Sequence, residues 1–212
     1  MPAHVPPPRP SHLLYLHGFR SSPASAKARL TLQGLRELQR GDAPPVAWIC
    51  PQLPPSPREA MELCLALVRE AAPSRLVLIG SSLGGFYATW LAETLECRAA
   101  LLNPAVDPAR DLRAQIGELG SWHDPSLRFR FTAEHVRELH AYELGDLRAA
   151  VPHPERYLAV IARDDEVLDW REMSQRYRGA ELRVADHGGH ALDDYAPSHC
   201  DAVLAFLGVH AN

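Results

Sequence analysis

Lysine is almost missing from this chain: of its 22 basic residues a single one, Lys27, is lysine, and the arginines are spread without a run. Together with a formal net charge of −4, this excludes the clustered positive surface on which binding to nucleic acids and anionic membranes depends. Long apolar runs are missing as well. No stretch reaches the roughly 18 to 20 apolar residues of a membrane span, and Met1–Pro10 is proline-rich without the apolar centre of a secretory signal. The expected location is the cytoplasm. Cysteine is sparse: Cys50, Cys64, Cys97 and Cys200 lack C-x-x-C spacing and fall in apolar segments, which predicts reduced, buried thiols rather than bridges or a zinc site. Internal repeats are absent, as are low-complexity tracts beyond the proline-rich start.

What is present is enough apolar residue, 46% of 212, to build one well-buried core and too little chain for two ordinary domains. A single domain over 1–212 is expected, with a loose start over 1–10. Strand-like and helix-like segments alternate, which argues for a parallel sheet covered by helices on both faces. Strands are predicted at His12–His17, Val46–Cys50, Val77–Ile79, Ala99–Leu102, Tyr157–Ala162 and Glu181–Ala185. Helices are predicted at Ser25–Gln39 (ending at Gly41, with Ala28, Leu32 and Leu35 inward), from Pro57 to about Ala72, Leu83–Leu95, Trp170–Arg178 and Pro197–Leu207 with Gly208 as its stop. The second is the clearest, because Met61, Cys64, Leu65 and Val68 fall at i, i+3, i+4 and i+7. From Asp107 to Pro154 the alternation breaks, and the stretch reads as an insertion above the sheet with one helix at Thr132–Leu144.

The most informative stretch is Arg75–Trp90, in which a buried-strand run is followed by Gly80-Ser81-Ser82-Leu83-Gly84 and then a helical segment. This is G-x-S-x-G, a serine on a sharp strand-to-helix turn with its hydroxyl raised above the sheet edge. A frame centred on Ser81 would need glycine where Ile79 and Leu83 stand, so Ser82 is the candidate nucleophile. A serine hydroxyl is a weak nucleophile at neutral pH and needs a base, which in turn needs an orienting carboxylate. Both follow in the chain order such sheets use. After the strand at 157–162 come Asp164, Asp165, Glu166 and Asp169; after the strand at 181–185 come His187 and His190. His190 is preferred as base, since Gly188-Gly189 lets the backbone turn its ring to the sheet edge, with His187 in reserve. Asp165 is preferred as acid over Asp164, because Val167-Leu168 supplies an apolar anchor next to it.

Acyl transfer also needs donors for the oxyanion. The Leu83 N–H is built into the turn, and the Phe19 N–H, after His17-Gly18, is the expected second donor. No cofactor and no metal is expected. A metal-dependent reading would use His187, His190, Asp193 and Asp194, but no further ligand cluster stands out. A binding-only protein of the same fold predicts a missing member of the Ser-His-Asp set, and none is missing. Arg110, Arg113, Arg128 and Arg130 of the insertion are candidates to hold an anionic handle such as the phosphates of a coenzyme A thioester, weighed against a merely solvated surface.

Several stretches, LLYLHGFRSSPASAKA, IGSSLGGFYATWLAE, LLNPAV, DDEVLDWRE and the closing GGHAL, resemble the small esterases of the YqiA/YcfP type within the α/β-hydrolases. The resemblance extends over nearly the whole chain, and HGF-x-S-S-P followed by GSSLGG is far narrower than G-x-S-x-G. It implies an α/β-hydrolase fold with a six-stranded, mostly parallel core and hydrolysis of a small-molecule acyl ester or thioester. It also implies Ser82 as nucleophile, Asp165 as acid and His190 as base. The chain departs from the pattern at Asp164, where relatives tend to carry glycine, and at His187 in the final loop.

Overall fold

The computed structural model describes residues 9–39, 44–122, 124 and 126–209. Most of the proline-rich start, and Gly41 as the stop of the first helix, lie outside the described residues. In chain order the elements begin with β1 (His12–Leu16), α1 (Ala26–Leu38), β2 (Ala47–Ile49), α2 (Pro57–Val68), β3 (Leu76–Ser81), α3 (Leu83–Leu95) and β4 (Arg98–Leu102). They continue with α4 (Pro108–Asp111), β5 (Gly117–Gly120), β6 (Arg128–Phe131), α5 (Ala133–His140) and β7 (Tyr157–Ala162). The chain closes with α6 (Trp170–Arg176), β8 (Glu181–Ala185), α7 (Tyr195–Ser198) and α8 (Cys200–Phe206).

Six strands form one sheet in the order β2-β1-β3-β4-β7-β8, and every neighbouring pair in it is parallel. This is an α/β-hydrolase sheet. β3 and β7 are buried along their whole length, which is why they read as unbroken apolar runs rather than alternation. β1 shows the period of two within its buried run: Leu14 and Leu16 join the core under α2 and α3, whereas Leu13 and Tyr15 face the core under α1 and α8. The strand order reverses direction between β1 and β3, and the crevice beyond their carboxyl ends is where a parallel sheet of this kind receives ligands.

Ser56 caps α2 by accepting the Glu59 N–H at 3.2 Å, and Pro57 occupies the first turn. In α1 the inward face uses Thr31 rather than Leu32: the Thr31 hydroxyl lies 2.8 Å from the Tyr195 hydroxyl and 2.7 Å from the Lys27 carbonyl. The closing helix is in two pieces, α7 and α8, broken at His199, and Gly208 ends it at φ 78°. All four cysteines are free thiols. Burial pushes Cys50 and Cys64 up to about 12.

The 107–154 segment holds more order than its sequence suggests. β5 and β6 form an antiparallel hairpin, and Arg128-Phe129-Arg130-Phe131 carries the alternation that marks it. The Thr132 hydroxyl accepts the His135 N–H at 3.3 Å, so the first half of a capping box forms although the acidic second half is lacking. Two buried charges fasten the segment to the body. Glu138 accepts from the Ser56 hydroxyl at 2.6 Å and the Arg58 N–H at 3.2 Å, at the start of α2. Arg176 donates to the Leu144, Asp146 and Ala149 carbonyls at 2.9 to 3.0 Å. Among the described residues no helix is long and apolar enough to cross a membrane.

The turn between β3 and α3 admits no extra atoms. A Cβ on Gly84 would lie 2.0 Å from the Leu16 carbonyl oxygen and one on Gly80 would lie 2.3 Å from the Gly84 oxygen, both of them main-chain atoms that cannot swing aside. Gly84→Ala is therefore expected to cost about 3 kcal/mol or more, read as a lowered urea midpoint or as failure to fold. An unchanged midpoint would show that β1 and α3 separate more easily than this packing implies.

Candidate active site

Ser82 sits between β3 and α3 at φ 55° and ψ −121°, a left-handed backbone that a residue with a side chain rarely adopts. Main-chain bonds hold it there: its N–H donates to the Leu102 carbonyl at 3.0 Å, and its carbonyl accepts from Gly85 at 2.8 Å and Ala105 at 3.0 Å. A serine at a helix start ordinarily spends its hydroxyl on a first-turn amide. Ser82 makes no such cap. Its Oγ lies instead 3.1 Å from His190 Nε2. The other ring nitrogen, Nδ1, is 2.8 Å from Asp165 Oδ2. With its Nδ1 proton donated to the carboxylate, the ring presents the Nε2 lone pair to the serine, an assignment made from the partners.

Asp165 is held from its other side as well. Its Oδ1 accepts the Val167 and Leu168 N–H groups, each at 2.8 Å, and its side chain is 0% exposed against 23% for His190. Asp164 and His187, the reserve residues, lie apart from Ser82. Asp164 Oδ1 accepts the Gly189 N–H at 2.9 Å, which holds its carboxyl below the usual range, and His187 stands 3.6 Å from Asp164 Oδ2 with its side chain 92% exposed.

With this geometry in view, residues 12–208 match the sequence profile of an uncharacterised protein family, UPF0227, the YqiA/YcfP family. The chain belongs to that family. Its fold recurs in solved structures of low sequence identity. A candidate hydrolase from Agrobacterium vitis S4 is 18% identical over 94% of this chain and 91% of that one, at TM-score 0.70. Mouse alpha/beta hydrolase domain-containing protein 10 is 15% identical over 91% and 89%, at 0.66. Est1E from Butyrivibrio proteoclasticus, with ferulic acid bound, is 17% identical over 98% and 91%, at 0.65. At these identities the likeness bears on the fold alone.

In this UPF0227 chain the Gly18–Phe19 link passes close to the serine. A Cβ on Gly18 would come 3.2 Å from Ser82 Cβ and 3.7 Å from its Oγ. The Phe19 ring is set edge-on between Phe129 at 6.0 Å and Phe131 at 5.0 Å. Leu83 opens α3, so its N–H is one of the donors a helix start leaves without an intrahelical partner. His17 takes a scaffolding position, with Nε2 accepting the Leu53 N–H at 3.1 Å and Nδ1 2.9 Å from the Gly18 carbonyl.

Three residues not singled out from the sequence hold the His190 loop. Asn103, fully buried at φ 42°, accepts the Ala162 N–H through Oδ1 at 2.8 Å and donates through Nδ2 to the Gly189 and His190 carbonyls at 2.9 and 3.3 Å. Glu166 accepts the His190 N–H at 2.9 Å. Lys27 donates to the His190 and Ala191 carbonyls at 3.2 and 2.8 Å. The signal for Asn103 was the asparagine closing the β4 run, where a side chain that tolerates positive φ is at a premium.

A cavity of about 700 Å³ opens at Ser82, and Tyr15, Ser25, Lys27, Leu168 and Trp122 are among its walls. A second, of about 500 Å³, lies across the Phe19 loop against Leu53, Tyr87 and Phe129. The insertion arginines are not gathered at the serine. Arg110 is paired with Glu172 and Asp111, Arg130 stands 3.8 Å from Glu118, and Arg128 lines the second cavity. Arg20, stacked 3.9 Å above Trp122, lines both. Among the described residues no group of three or more His, Cys, Asp or Glu side chains is placed to hold a metal ion.

Because Asn103 serves β7 and the His190 loop at once, Asn103→Ala is expected to cost about 2 kcal/mol, since it orphans the buried Ala162 N–H and takes one donor from each of the Gly189 and His190 carbonyls, which keep the Leu192 N–H and Lys27. Amide exchange at Gly189 and His190 should quicken at the same time. Slow exchange in the variant would show that Glu166, Asp164 and Lys27 hold the loop without it.

Proposed function

We propose that this chain is a serine hydrolase that cleaves carboxylic esters, acyl thioesters included, through Ser82, His190 and Asp165. One observation carries the reading: a strained serine whose hydroxyl is left uncapped lies 3.1 Å from an imidazole that is itself oriented, 2.8 Å away, by a carboxylate with no exposed side-chain surface. As Ser82 Oγ bonds to the acyl carbon, its proton passes to His190 Nε2 and the carbonyl electron pair moves onto oxygen. The Phe19 and Leu83 N–H groups receive that oxyanion, and each such donor is worth roughly 2.7 to 4 kcal/mol. Collapse expels the alcohol or thiol, protonated by His190. Water then attacks the acyl-enzyme by the same route and releases the acid. Asp165 stabilises the imidazolium and keeps Nε2 turned to the serine.

The fold likeness to Est1E, which holds a carboxylic acid, ferulic acid, supports acyl compounds as the substrate class. In this reading the chain is one domain and the 107–154 segment is its cap, since Leu112, Gln115 and Trp122 wall the cavity at the serine.

Initial rates on p-nitrophenyl esters from acetate upward test the proposal. Ser82→Ala should lose about 10³-fold or more while remaining folded. Asp165→Asn should lose nearly as much and Asp164→Asn little, and the chain-length optimum then sizes the cavity. Equal activity in wild type and Ser82→Ala would sink the assignment.

A further inference from the structure

The cavity at Ser82 reaches the start of α1, and that helix start is unusual. α1 is 13 residues long, its flanking Ser25 makes no side-chain cap, and no acidic residue stands in its first turn. Its first N–H groups thus keep their partial positive charge, where most helices place a carboxylate or a capping hydroxyl. Beside them two side-chain groups are buried without a hydrogen-bond partner. Tyr15, 0% exposed, lines the cavity from β1, and the Ser25 and Ser81 hydroxyls, on the same walls, stand near its own. A buried hydroxyl without a partner costs free energy unless something occupies the space before it.

Lys27 completes the set. An ammonium has three N–H donors, and two of these go to the His190 and Ala191 carbonyls, leaving one. Each carboxylate on or next to these walls already accepts a hydrogen bond: Asp165 from His190 and two amides, Glu166 from the His190 N–H, Asp111 from Arg110. The start of α1 and Lys27 add positively charged donors, Arg20 stands on the same walls, and the Tyr15 and Ser25 hydroxyls are neutral donors beside them.

We propose that the start of α1, with Lys27 and the Tyr15 and Ser25 hydroxyls, is a carboxylate subsite of this cavity, and that the substrate is an ester whose acyl group carries a carboxylate of its own. This rests on the hydrolase reading of Ser82 and adds to it a class of acid, the half-ester of a short dicarboxylic acid. A single negative charge matches a helix start and one ammonium. Glu166 and Asp111, on the same cavity walls, disfavour a dianion such as phosphate. Burial lowers Lys27 to about 8 against the opposing pull of Asp165, Asp193 and Glu166, so its charge is present at neutral pH and fades above pH 8.

Calorimetric titration of the Ser82→Ala protein separates the subsite from the chemistry. Monomethyl succinate, glutarate and adipate are compared with methyl butyrate, valerate and hexanoate, which match them in length without the carboxylate. At pH 7 at least one half-ester should bind about tenfold or more tighter than its neutral partner, the effect of one charge-assisted hydrogen bond. The advantage should shrink as pH rises past 8. Lys27→Met and Tyr15→Phe, each combined with Ser82→Ala, should reduce it severalfold. Tyr15→Phe keeps the ring against Trp48, so the test survives if Lys27→Met does not fold. No half-ester preferred at any length, or a preference untouched by Tyr15→Phe, overturns the subsite. Parallel turnover of the p-nitrophenyl half-esters by wild type tells the two proposals apart: half-ester binding without hydrolysis removes the hydrolase reading and keeps the subsite, and hydrolysis of neutral and charged esters alike does the reverse.

Discussion

A side chain at positive φ persists only where its surroundings hold the backbone more strongly than the strain, of order 1–3 kcal/mol, pushes it out. At Ser82 the holding is done by main-chain contact. β1 and α3 meet so closely at Gly84 that its missing Cβ leaves the room for the Leu16 carbonyl, and Gly80 gives the same room to the helix on the other side. The register of β1 on β3, with Leu16 opposite Gly80, follows from that approach. The central strands, the helix over them and the serine between are one constraint expressed three times.

The partners of the serine depend on a different kind of force. Three successive acidic residues leave β7, and the structure gives each a separate acceptor role: Asp164 takes the Gly189 N–H, Asp165 the His190 ring and Glu166 the His190 N–H. Lys27 and Asn103 grip the carbonyls of the same loop. A segment with two adjacent glycines, both at positive φ, would otherwise have wide freedom. It is ordered here by charge and amide hydrogen bonds rather than by apolar packing.

The sheet was readable because its strands are buried on both faces, so that Leu76–Ser81 and Tyr157–Ala162 stand out as apolar runs with the loops following at known places. The candidate site was readable for a related reason, since glycine spacing around Ser82 records a backbone requirement rather than a preference. The hairpin in the insertion escaped because one of its strands, Gly117–Gly120, has almost no propensity of its own and pairs only through its partner. The break at His199 escaped because it lies within an otherwise helical pattern. The roles of Asn103 and Lys27 depend on contacts between residues 59 to 164 positions apart, and no local pattern records those.

The Phe19 ring has consequences for how the 107–154 insertion can vary. Its neighbours Phe129 and Phe131 belong to the insertion, while its own backbone belongs to the turn that runs beside Ser82. The insertion and the turn beside Ser82 thus share one aromatic cluster. Exchanging the insertion for another of the same length, as in building chimaeras between relatives, would strip two faces from Phe19 unless the graft brought its own pair of rings. Loop transplantation on this scaffold is therefore a problem of matching an aromatic seam before it is one of reshaping a pocket.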